Sequence, residues 1–369
     1  MTQFSQSVTG QSSVDVSVVV PVFNGEKDIG ECLARILDSV GCNFEILVVN
    51  DASTDQTQVI AEDAGVRVVT LLEQSGPAVA RNRAVKACRG EIVVFVDCDV
   101  MIPSDTLRDL KEHLEENQYA AVFGSYDLNP KAGNLVSVYK NLMHHYYHQQ
   151  SNREAHTFWS GCGAIKKVVF EELGGFNQAF ARPSIEDIEL GMRISEAGYS
   201  IGSVPGIQVQ HTKRWTLKNL IYTDVLLRGI PWTRLMLKAG AIRNDLNVSR
   251  SQRTCVFIAG LIVAVFAALV CFQPLLVLLP FFVGVLLCLT DLATDRRATR
   301  QIGLWSGAVL LVVFVACCFA WEPLSALIFL GVLSIGFMTR ASLRFLMRVG
   351  GLPFAILCVP LHVTYFLYC

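Results

Sequence analysis

The apolar segments that follow Arg253 are the feature that most limits how this chain can fold. A helix that crosses a bilayer needs about 20 predominantly apolar residues, and five segments approach or meet that length. They are Thr254–Gln273, Pro274–Thr290, Ile302–Trp321, Pro323–Met338 and Val349–Tyr368. Charged residues make up only 17% of the whole chain, against about 25% in average soluble domains. We therefore predict an all-α transmembrane domain of about five spans over residues 251–369.

Arginines lie in alternate connections between these segments, and this distribution predicts an orientation. They precede the first span, separate the second from the third and precede the last, in the groups Arg243, Arg250 and Arg253; Arg296, Arg297 and Arg300; and Arg340, Arg344 and Arg348. The turns near Gln273 and Glu322 carry no Lys or Arg. By the positive-inside rule the basic segments and the domain before them face the cytosol. This indicates an integral protein of the inner or plasma membrane.

The first 250 residues read as a mixed globular sequence with a short leading tail. Residues 1–13 lack both a basic stretch and an apolar core, so we expect a flexible tail rather than a secretory signal. The segment Trp215–Lys238 is apolar and basic, with Pro231 midway. It predicts amphipathic interfacial helices over residues 216–250, broken near Gly229–Pro231. A core helix packed on a sheet is the alternative.

Residues 14–215 alternate between strand-like and helix-like segments, which is typical of an α/β fold with a parallel sheet. Apolar, β-branched runs predict strands at Val16–Phe23, Phe44–Asn50, Val66–Leu72 and Glu91–Val96. Intervening patterns predict helices at Lys27–Ser39, Thr57–Ala64 and Ala78–Cys88. Ligands bind such sheets beyond the carboxyl ends of their strands.

Polar side chains follow these predicted strands, and we expect them to share one rim. They are Asn24, Asp51, Asp55, Asp97 and Asp99. No GxGxxG or GxxxxGK[ST] segment follows a strand, which argues against a dinucleotide or P-loop site. Carboxylates in this position favour Mg²⁺ or Mn²⁺, which bridge acidic side chains to substrate phosphates. On spacing alone, however, the Asp97–Asp99 pair is equally compatible with a solvated turn.

A second pair of acids stands at a predicted helix start. Ser184 can cap a helix whose first turn holds Glu186 and Asp187. Acids are favoured at helix N-termini by the helix dipole, so a capping role and a catalytic role both remain open at this point.

Together these segments resemble the family-2 glycosyltransferases, which have a GT-A fold. The matching segments occur in the family's order, as "VSVVVPVFNGEKDI", "EILVVNDASTDQT", "GPAVARNRAV", "GEIVVFVDCDV", "GGFNQAF", "EDIELGMRISEAGY" and "HTKRW". The fourth segment is similar to the strand that ends in the metal-binding DxD motif, and the last is similar to the family's QxxRW element. The resemblance covers roughly Val16 to Trp215 and implies a Rossmann-like nucleotide-diphospho-sugar transferase domain.

The resemblance implies a role for each matching residue. Nucleotide-sugar binding falls to Pro21, Phe23, Asn24, Glu26, Asp51, Arg81, Asp97 and Arg214. The metal, Mg²⁺ or Mn²⁺, falls to Asp97, Asp99 and His211. Asp187 would be the general base, and Glu186 and Trp215 would contact the acceptor. Three positions depart from the family pattern: His211 replaces Gln, Ala52 replaces Gly and Asn50 replaces Asp.

We therefore expect a membrane-bound, inverting glycosyltransferase. It would move a sugar from a UDP- or GDP-linked donor to a lipid or lipid-linked hydroxyl at the cytosolic face, in glycolipid or polysaccharide synthesis of the cell envelope. A polyprenyl-phosphate sugar synthase, a processive polysaccharide synthase and a non-catalytic membrane scaffold or lipid transporter are the alternatives. A net charge of −1 gives no indication of a nucleic-acid partner.

Overall fold

The computed structural model describes residues 14–239, 250–272 and 323–368. The described residues form two compact units. The sheet unit comprises residues 14–133, 147–214 and 231–235, and the remaining described residues form the helical unit. The helical unit thus includes residues 134–146 of the predicted catalytic domain. The predicted tail over residues 1–13 lies outside the described residues.

The strands and helices of the sheet unit alternate along the chain. The strands are β1 (Val16–Val22), β2 (Phe44–Asn50), β3 (Arg67–Thr70), β4 (Ile92–Val96), β5 (Val100–Met101), β6 (Ala121–Tyr126), β7 (Glu154–Ala155), β8 (Cys162–Lys166) and β9 (Ile201–His211). The helices that begin before residue 200 are α1 (Ile29–Leu37), α2 (Thr57–Asp63), α3 (Pro77–Val85), α4 (Thr106–Glu116), α5 (Leu135–Gln149), α6 (Lys167–Glu172) and α7 (Glu186–Glu196). The predicted helices and strands of the first 96 residues are confirmed, with ends that shift by a few residues.

The strands form one mixed sheet with the order β3-β2-β1-β4-β8-β6-β9-β5, and β7 pairs with β9. Strands β1 to β4 pair in parallel, with Val22 beside Asn50. Strand β8 runs antiparallel to both β4 and β6. The prediction of a parallel sheet therefore holds for the four strands β1 to β4 from which it was made, whereas the rest of the sheet is mixed, with β6 and β9 parallel and β8, β5 and β7 antiparallel to their neighbours. The mixed α/β sheet agrees with the predicted GT-A-like fold.

Aromatic packing on one face of the sheet connects the core to the site described below. The Phe95 ring lies 5.1 Å from that of Phe176 and 5.6 Å from that of Phe170, centroid to centroid. All three side chains are buried. The guanidinium of Arg81 lies 5.3 Å from the centre of the Phe176 ring. The buried ring of Phe176 thus packs against the charged side chain of Arg81 at the edge of the sheet.

Helices follow β9 among the residues that the structure describes. Helix α8 (Leu217–Tyr222) continues into a π-helical segment (Thr223–Gly229) and then into α9 (Ile230–Ala239). The predicted break near Gly229–Pro231 is not seen. Proline cannot donate the backbone hydrogen bond of a regular α-helix, and the wider turns of a π-helix accommodate such a loss.

Three further helices belong to the helical unit, namely α10 (Arg250–Phe272), α11 (Pro323–Met338) and α12 (Arg340–Tyr368). One stretch, Arg340–Phe366, is long and apolar enough to cross a membrane, and Ser251–Ala267 and Leu327–Met338 form shorter apolar helices. The predicted spans over residues 274–290 and 302–321 lie outside the described residues. Within α12, Gly351 has a φ of 81°, close to the predicted start of the last span.

Large apolar side chains face outward on these helices. Phe257, Phe337 and Leu352 expose 73%, 68% and 60% of their surface. Small side chains such as Ala259 and Cys358 are buried, and so are the large side chains of Leu346 and Phe366. These helices therefore carry apolar residues on their exposed sides as well as on their buried sides.

Gly191 on α7 offers a test of how tightly this helix packs. A Cβ at this position would collide with the backbone of Thr157 and Phe158, so Gly191→Ala forces α7 away from that segment. We expect a loss of about 1–3 kcal/mol in the free energy of unfolding, as for other overpacked sites. The measurement is the thermal midpoint of the full chain in detergent. Gly206→Ala, where an added Cβ meets nothing within 4 Å, serves as the control; equal midpoints for the two variants would contradict this packing.

Candidate active site

The carboxyl ends of β1, β2 and β4 lie at one edge of the sheet because the three strands are parallel neighbours. The loops that follow them carry Asn24, Asp51, Asp55, Asp97 and Asp99. The predicted shared rim is therefore confirmed for the strands that bear it.

The loop after β1 is hydrogen-bonded to the loop after β2. Asn24, at φ 51°, accepts a 2.8 Å hydrogen bond from the backbone N–H of Thr54 through Oδ1. Glu26 accepts one of 3.3 Å from Gln56 and donates its own N–H to Asp55. These two predicted nucleotide ligands thus hold the loops together.

Two other predicted nucleotide ligands, Pro21 and Phe23, differ in their exposure at this edge of the sheet. Pro21 is buried inside β1, where it pairs in register with Val49. Phe23, the next residue but one, leaves the sheet with 41% of its surface exposed. Of the two, only the Phe23 ring is available to stack on a base.

Asp51 is almost fully buried, with both carboxylate oxygens occupied. They accept 2.8 Å hydrogen bonds from the backbone N–H groups of Ser75 and Gly76, just before α3. Gly76 has a φ of 86°, and a Cβ there would lie 2.5 Å from the carbonyl oxygen of Ala181. The Asp51 carboxylate therefore fixes this loop. The predicted contact of Asp51 with the nucleotide base remains a prediction.

Arg81 links the two acidic motifs. Its guanidinium is buried and donates to Asp97 Oδ1 at 2.6 Å and to Glu186 Oε1 at 3.0 Å. The second carboxylate oxygen of Glu186 accepts the backbone N–H of Ser184 at 2.8 Å. Burial lowers the pKa of Arg81, but the charges of Asp97 and Glu186 outweigh it and raise the pKa. Arg81 is thus held as a cation between two carboxylates, those of Asp97 and Glu186, and its predicted contact with the donor remains a prediction.

This arrangement bears on two predictions. Glu186 is buried and both of its carboxylate oxygens accept hydrogen bonds, and its predicted contact with the acceptor remains a prediction. The residue at the N-cap of α7 is Ile185, which makes no side-chain capping bond; the prediction that Ser184 caps the helix is wrong. The backbone N–H of Ser184, which precedes the helix, donates to Glu186, so Glu186 fixes the segment that enters α7.

Asp187 is more exposed than its neighbour Glu186. It is half-buried, and its Oδ2 lies 3.2 Å from the backbone nitrogen and 3.3 Å from the hydroxyl of Ser160. Its Oδ1 accepts the backbone N–H of Ile188 at 2.8 Å. Burial and the charge of Glu186 raise the pKa of Asp187 to about 6. A carboxylate with such a pKa is a competent proton acceptor near neutral pH.

Asp99 faces two nitrogen groups at the end of β9. His211 Nε2 and Lys213 Nζ each lie 3.7 Å from Asp99 Oδ2. The His211 ring is buried and stacks on Tyr126, with 4.3 Å between ring centres. Burial would raise the pKa of Asp99, but the hydrogen bond from His211 and the charge of Lys213 lower it below the usual range.

The metal predicted for this site fits two of its three expected ligands. Within residues 14–239, 250–272 and 323–368, no group of three or more His, Cys, Asp or Glu side chains could hold a metal ion. In the described structure Asp97 does not act as a third donor beside Asp99 and His211, because the carboxylate of Asp97 is bound by Arg81. An oxygen and an imidazole nitrogen still suit Mn²⁺, and Mg²⁺ or Mn²⁺ commonly completes its shell with water and substrate phosphate.

Arg214 and Trp215, the last predicted ligands, fall in different units. Arg214 is exposed and makes no ion pair with any residue that the structure describes. Trp215 is buried in the helical unit beside Val136 and Leu220. Its backbone N–H donates to Ser137 Oγ at 2.7 Å. The predicted acceptor contact of Trp215 remains a prediction.

Sequence reasoning missed three contributors to the site. Ser160 holds Asp187, Lys213 faces Asp99, and the Ser75–Gly76 amides hold Asp51. The position of Lys213 could have been predicted from the sequence. Alternate residues of a strand share a side, and His211, two residues earlier, had already been placed near the metal. Ser160 and the Ser75–Gly76 amides lie in loops whose course no periodicity reveals.

The comparisons with known proteins agree with this geometry. The Glycosyl transferase family 2 model matches residues 17–174, and a model described as N-terminal domain of galactosyltransferase matches residues 140–216. The putative teichuronic acid biosynthesis glycosyltransferase TuaG of Bacillus subtilis is 35% identical over 32% of this chain and 49% of its own length. The poly(ribitol-phosphate) beta-N-acetylglucosaminyltransferase TarS of Staphylococcus aureus is 41% identical over 27% of this chain and 19% of its own. The chain spans between about a fifth and a half of these relatives.

Solved structures give a weaker likeness. The S. aureus TarS 1-349 complex with UDP-GlcNAc aligns with 55% of this chain and 60% of its own, at 26% identity and a TM-score of 0.43. The mannosyltransferase PcManGT of Pyrobaculum calidifontis, with GDP-Man and Mn²⁺, aligns with 94% and 86% at 18% identity and a TM-score of 0.48. TM-scores below 0.5 support no functional inference. Over residues 17–174 this chain is therefore similar to the family 2 glycosyltransferases, in agreement with the order of its motifs and with its mixed sheet.

Proposed function

We propose that this chain is a membrane-bound, inverting glycosyltransferase. It transfers a sugar from a nucleotide donor to a hydroxyl of a lipid or lipid-linked acceptor at the cytosolic face. The observation that carries the proposal is Asp187, a half-buried carboxylate beside the more deeply buried Glu186, with a pKa raised to about 6 by burial and by the charge of Glu186. The similarity to the family 2 glycosyltransferases supplies the reaction class.

The acceptor side of the reaction follows from Asp187. A hydroxyl is a poor nucleophile, and a positioned carboxylate that removes its proton during attack accelerates the reaction about 10²–10⁴-fold. Ser160 fixes one oxygen of Asp187 and the amide of Ile188 fixes the other. A single base without a second carboxylate nucleophile suits one displacement, with inversion at the anomeric carbon.

The donor side follows from Asp99 and His211. These residues would hold the divalent metal, Mg²⁺ or Mn²⁺, whose positive charge stabilises the diphosphate leaving group when bound. Asp97 would position the sugar nucleotide, because Arg81 fixes its carboxylate at 2.6 Å. Phe23 is exposed at the carboxyl end of β1, where its ring would stack on the base.

Membrane attachment is supported by the helical unit. The stretch Arg340–Phe366 has the length and composition of a span, and neighbouring helices expose large apolar side chains such as Phe257 and Phe337. The interfacial role of the helical stretch from α8 to α9 is part of the same proposal, since Leu226 in its π-helical segment and Leu237 in α9 are exposed. A lipid-borne acceptor would reach an enzyme anchored in this way by diffusion in the bilayer.

A polyprenyl-phosphate sugar synthase is the second candidate. Its acceptor would be an anionic phosphate, which needs no base for attack. The raised pKa of Asp187 favours the hydroxyl acceptor over this alternative. The names of the relatives TuaG and TarS refer to cell-envelope polymers, which agrees with an acceptor in envelope synthesis.

The direct test uses membranes that contain the full chain, a panel of UDP- and GDP-sugars, and mass spectrometry of the extracted lipids. We expect one donor to give a glycosylated lipid product. Asp187→Asn should lower kcat about 10²–10⁴-fold with little change in the donor KM, since the base acts on the acceptor. Glu196→Gln, an exposed acid on the same helix, is the matched control. An Asp187→Asn enzyme with most of its activity would favour the phosphate acceptor instead.

The pH dependence follows from the same carboxylate. Asp187 must be ionised to accept a proton, so kcat/KM should be constant well above pH 6. It should fall about tenfold per unit below the pKa of about 6. A pH–rate profile over pH 4.5–8.5 measures this directly. An acid limb centred near pH 4, the ordinary range of an aspartate, would show that Asp187 is not the group that titrates.

Removal of the Arg81 charge tests the connection between the two acidic motifs. Arg81→Met leaves Asp97 and Glu186 without their shared cation, and breaking a buried ion pair in this way costs about 3–5 kcal/mol. We expect a clear drop in the thermal midpoint together with loss of activity. Arg83→Met, at an exposed position on the same helix, should behave like the wild type. A stable Arg81→Met protein with normal donor affinity would contradict the proposed bridge.

A further inference from the structure

Helix α12 folds back on itself at Gly351. Ser342 Oγ lies 3.2 Å from His362 Nε2, whereas residues 20 apart in a straight α-helix are separated by about 30 Å. Gly351 has a φ of 81° and a ψ of 171°, a conformation with positive φ that glycine adopts without strain. The stretch with the length and composition of a span is therefore a helical hairpin, with one arm over residues 340–350 and the other over residues 352–368.

The first arm of this hairpin has one packed side. Ser342 and Leu346 are buried there, and Ser342 contacts His362 of the second arm. The Phe345 ring stacks on that of His145 in α5, with 5.9 Å between ring centres. The packed side of the first arm thus carries Ser342, Phe345 and Leu346.

Three arginines lie on the opposite side of the first arm. Arg340, Arg344 and Arg348 are all exposed, and residues four apart occupy one face of an α-helix. Each stands two residues from Ser342 or Leu346, a step that turns the side chain about 200° around the helix axis. We call this stripe the arginine face, and it points away from the packed side.

The arginine face carries positive charge that the rest of the hairpin does not balance. No Asp or Glu occurs after Glu322, and no acidic side chain of the described residues forms an ion pair with the three arginines. Successive arginines are about 6 Å apart along the helix, so their charges repel one another. An external anion would therefore be attracted to this face.

Apolar side chains are exposed beside the arginine face, at the turn of the hairpin. Met347 and Val349 expose 38% and 41% of their surface before the turn, and Leu352 and Ile356 expose 60% and 46% after it. Exposed apolar residues next to basic ones are typical of helices that lie at a bilayer surface. A soluble anion could neutralise the arginines but would leave these apolar side chains in water.

An anionic phospholipid supplies both kinds of contact. Guanidinium groups bind phosphate oxygens through paired, charged hydrogen bonds, and the negative potential of an anionic leaflet attracts basic side chains to its surface. The acyl chains of the same lipid molecules would cover the apolar side chains at the turn.

We propose that the hairpin of α12 binds anionic phospholipids, with their phosphate groups on the arginine face and their acyl chains against the exposed residues of the turn. This inference rests on the membrane attachment in the proposed function and deepens it, since it names the class of lipid and the residues that bind it. The candidate active site takes no part in it.

The test is native mass spectrometry of the full chain in a neutral detergent. The chain is titrated separately with phosphatidylglycerol, with phosphatidylcholine and with glycerol phosphate, which offers the phosphate without acyl chains. We expect phosphatidylglycerol to bind at least about tenfold more tightly than either of the others. Arg344→Gln/Arg348→Gln should weaken phosphatidylglycerol binding about 20- to 30-fold, or about fivefold for each arginine, and leave phosphatidylcholine binding unchanged.

Two further variants separate this role from damage to the fold. Arg344→Lys/Arg348→Lys should keep most of the affinity for phosphatidylglycerol, because the charge remains. Arg35→Gln/Arg83→Gln, which removes two exposed arginines of the sheet unit, should bind like the wild type.

The outcomes also separate the inference from the proposed function. Equal affinity of the wild type for the two phospholipids, or an unchanged preference in Arg344→Gln/Arg348→Gln, overturns the inference while the proposed function stands. Glycerol phosphate that binds as tightly as phosphatidylglycerol indicates a soluble ligand and overturns the lipid partner. A chain that stays monodisperse in buffer without detergent overturns the membrane attachment and the inference together.

Discussion

The buried guanidinium of Arg81 is the interaction on which the candidate site depends. It lies between the DxD segment after β4 and the acidic start of α7, two parts of the chain about 90 residues apart, and it donates to a carboxylate of each. Four acids at one sheet edge would repel one another in a poorly solvated environment. Arg81 binds Asp97 and Glu186, so in the proposed reaction Asp99 is left for a cation and Asp187 for a proton. In that proposal one charged side chain separates the donor chemistry from the acceptor chemistry.

The remaining contacts divide the work in the same way. The side chains of Asp51 and Asn24 accept hydrogen bonds from neighbouring loops. These bonds fix the loops at the edge of the sheet. Asp99 and His211 are held by the pairing of β5 with β9, and Asp187 is held by Ser160. The groups assigned to chemistry are therefore positioned by strands and backbone amides. Such support keeps a site close to its working geometry.

The sequence was sufficient to predict the strands in the first half of the sheet, because an uninterrupted β-branched run such as Val16–Val22 is typical of a strand buried on both faces. It was also sufficient to bring the DxD and ED motifs to one domain. It could not predict that β8 runs antiparallel, since a five-residue apolar strand reads the same in either direction. Nor could it show that Glu186 faces Arg81 rather than solvent, because both residues of an acidic pair at a helix start look alike in sequence. The helical unit shows the same limit: composition predicts apolar helices, while the π-helical turn before Pro231 emerges only from backbone geometry.

The stereochemistry of the product tests the central claim most directly, because a single displacement by an Asp187-activated hydroxyl inverts the anomeric carbon. The measurement uses a donor with ¹³C in the sugar, membranes that contain the full chain, and NMR of the purified lipid product. An α-linked nucleotide sugar should give a β-glycoside on an oxygen that was a hydroxyl in the acceptor. An α-linked product, or a sugar attached only to a phosphate of the acceptor, would contradict the account.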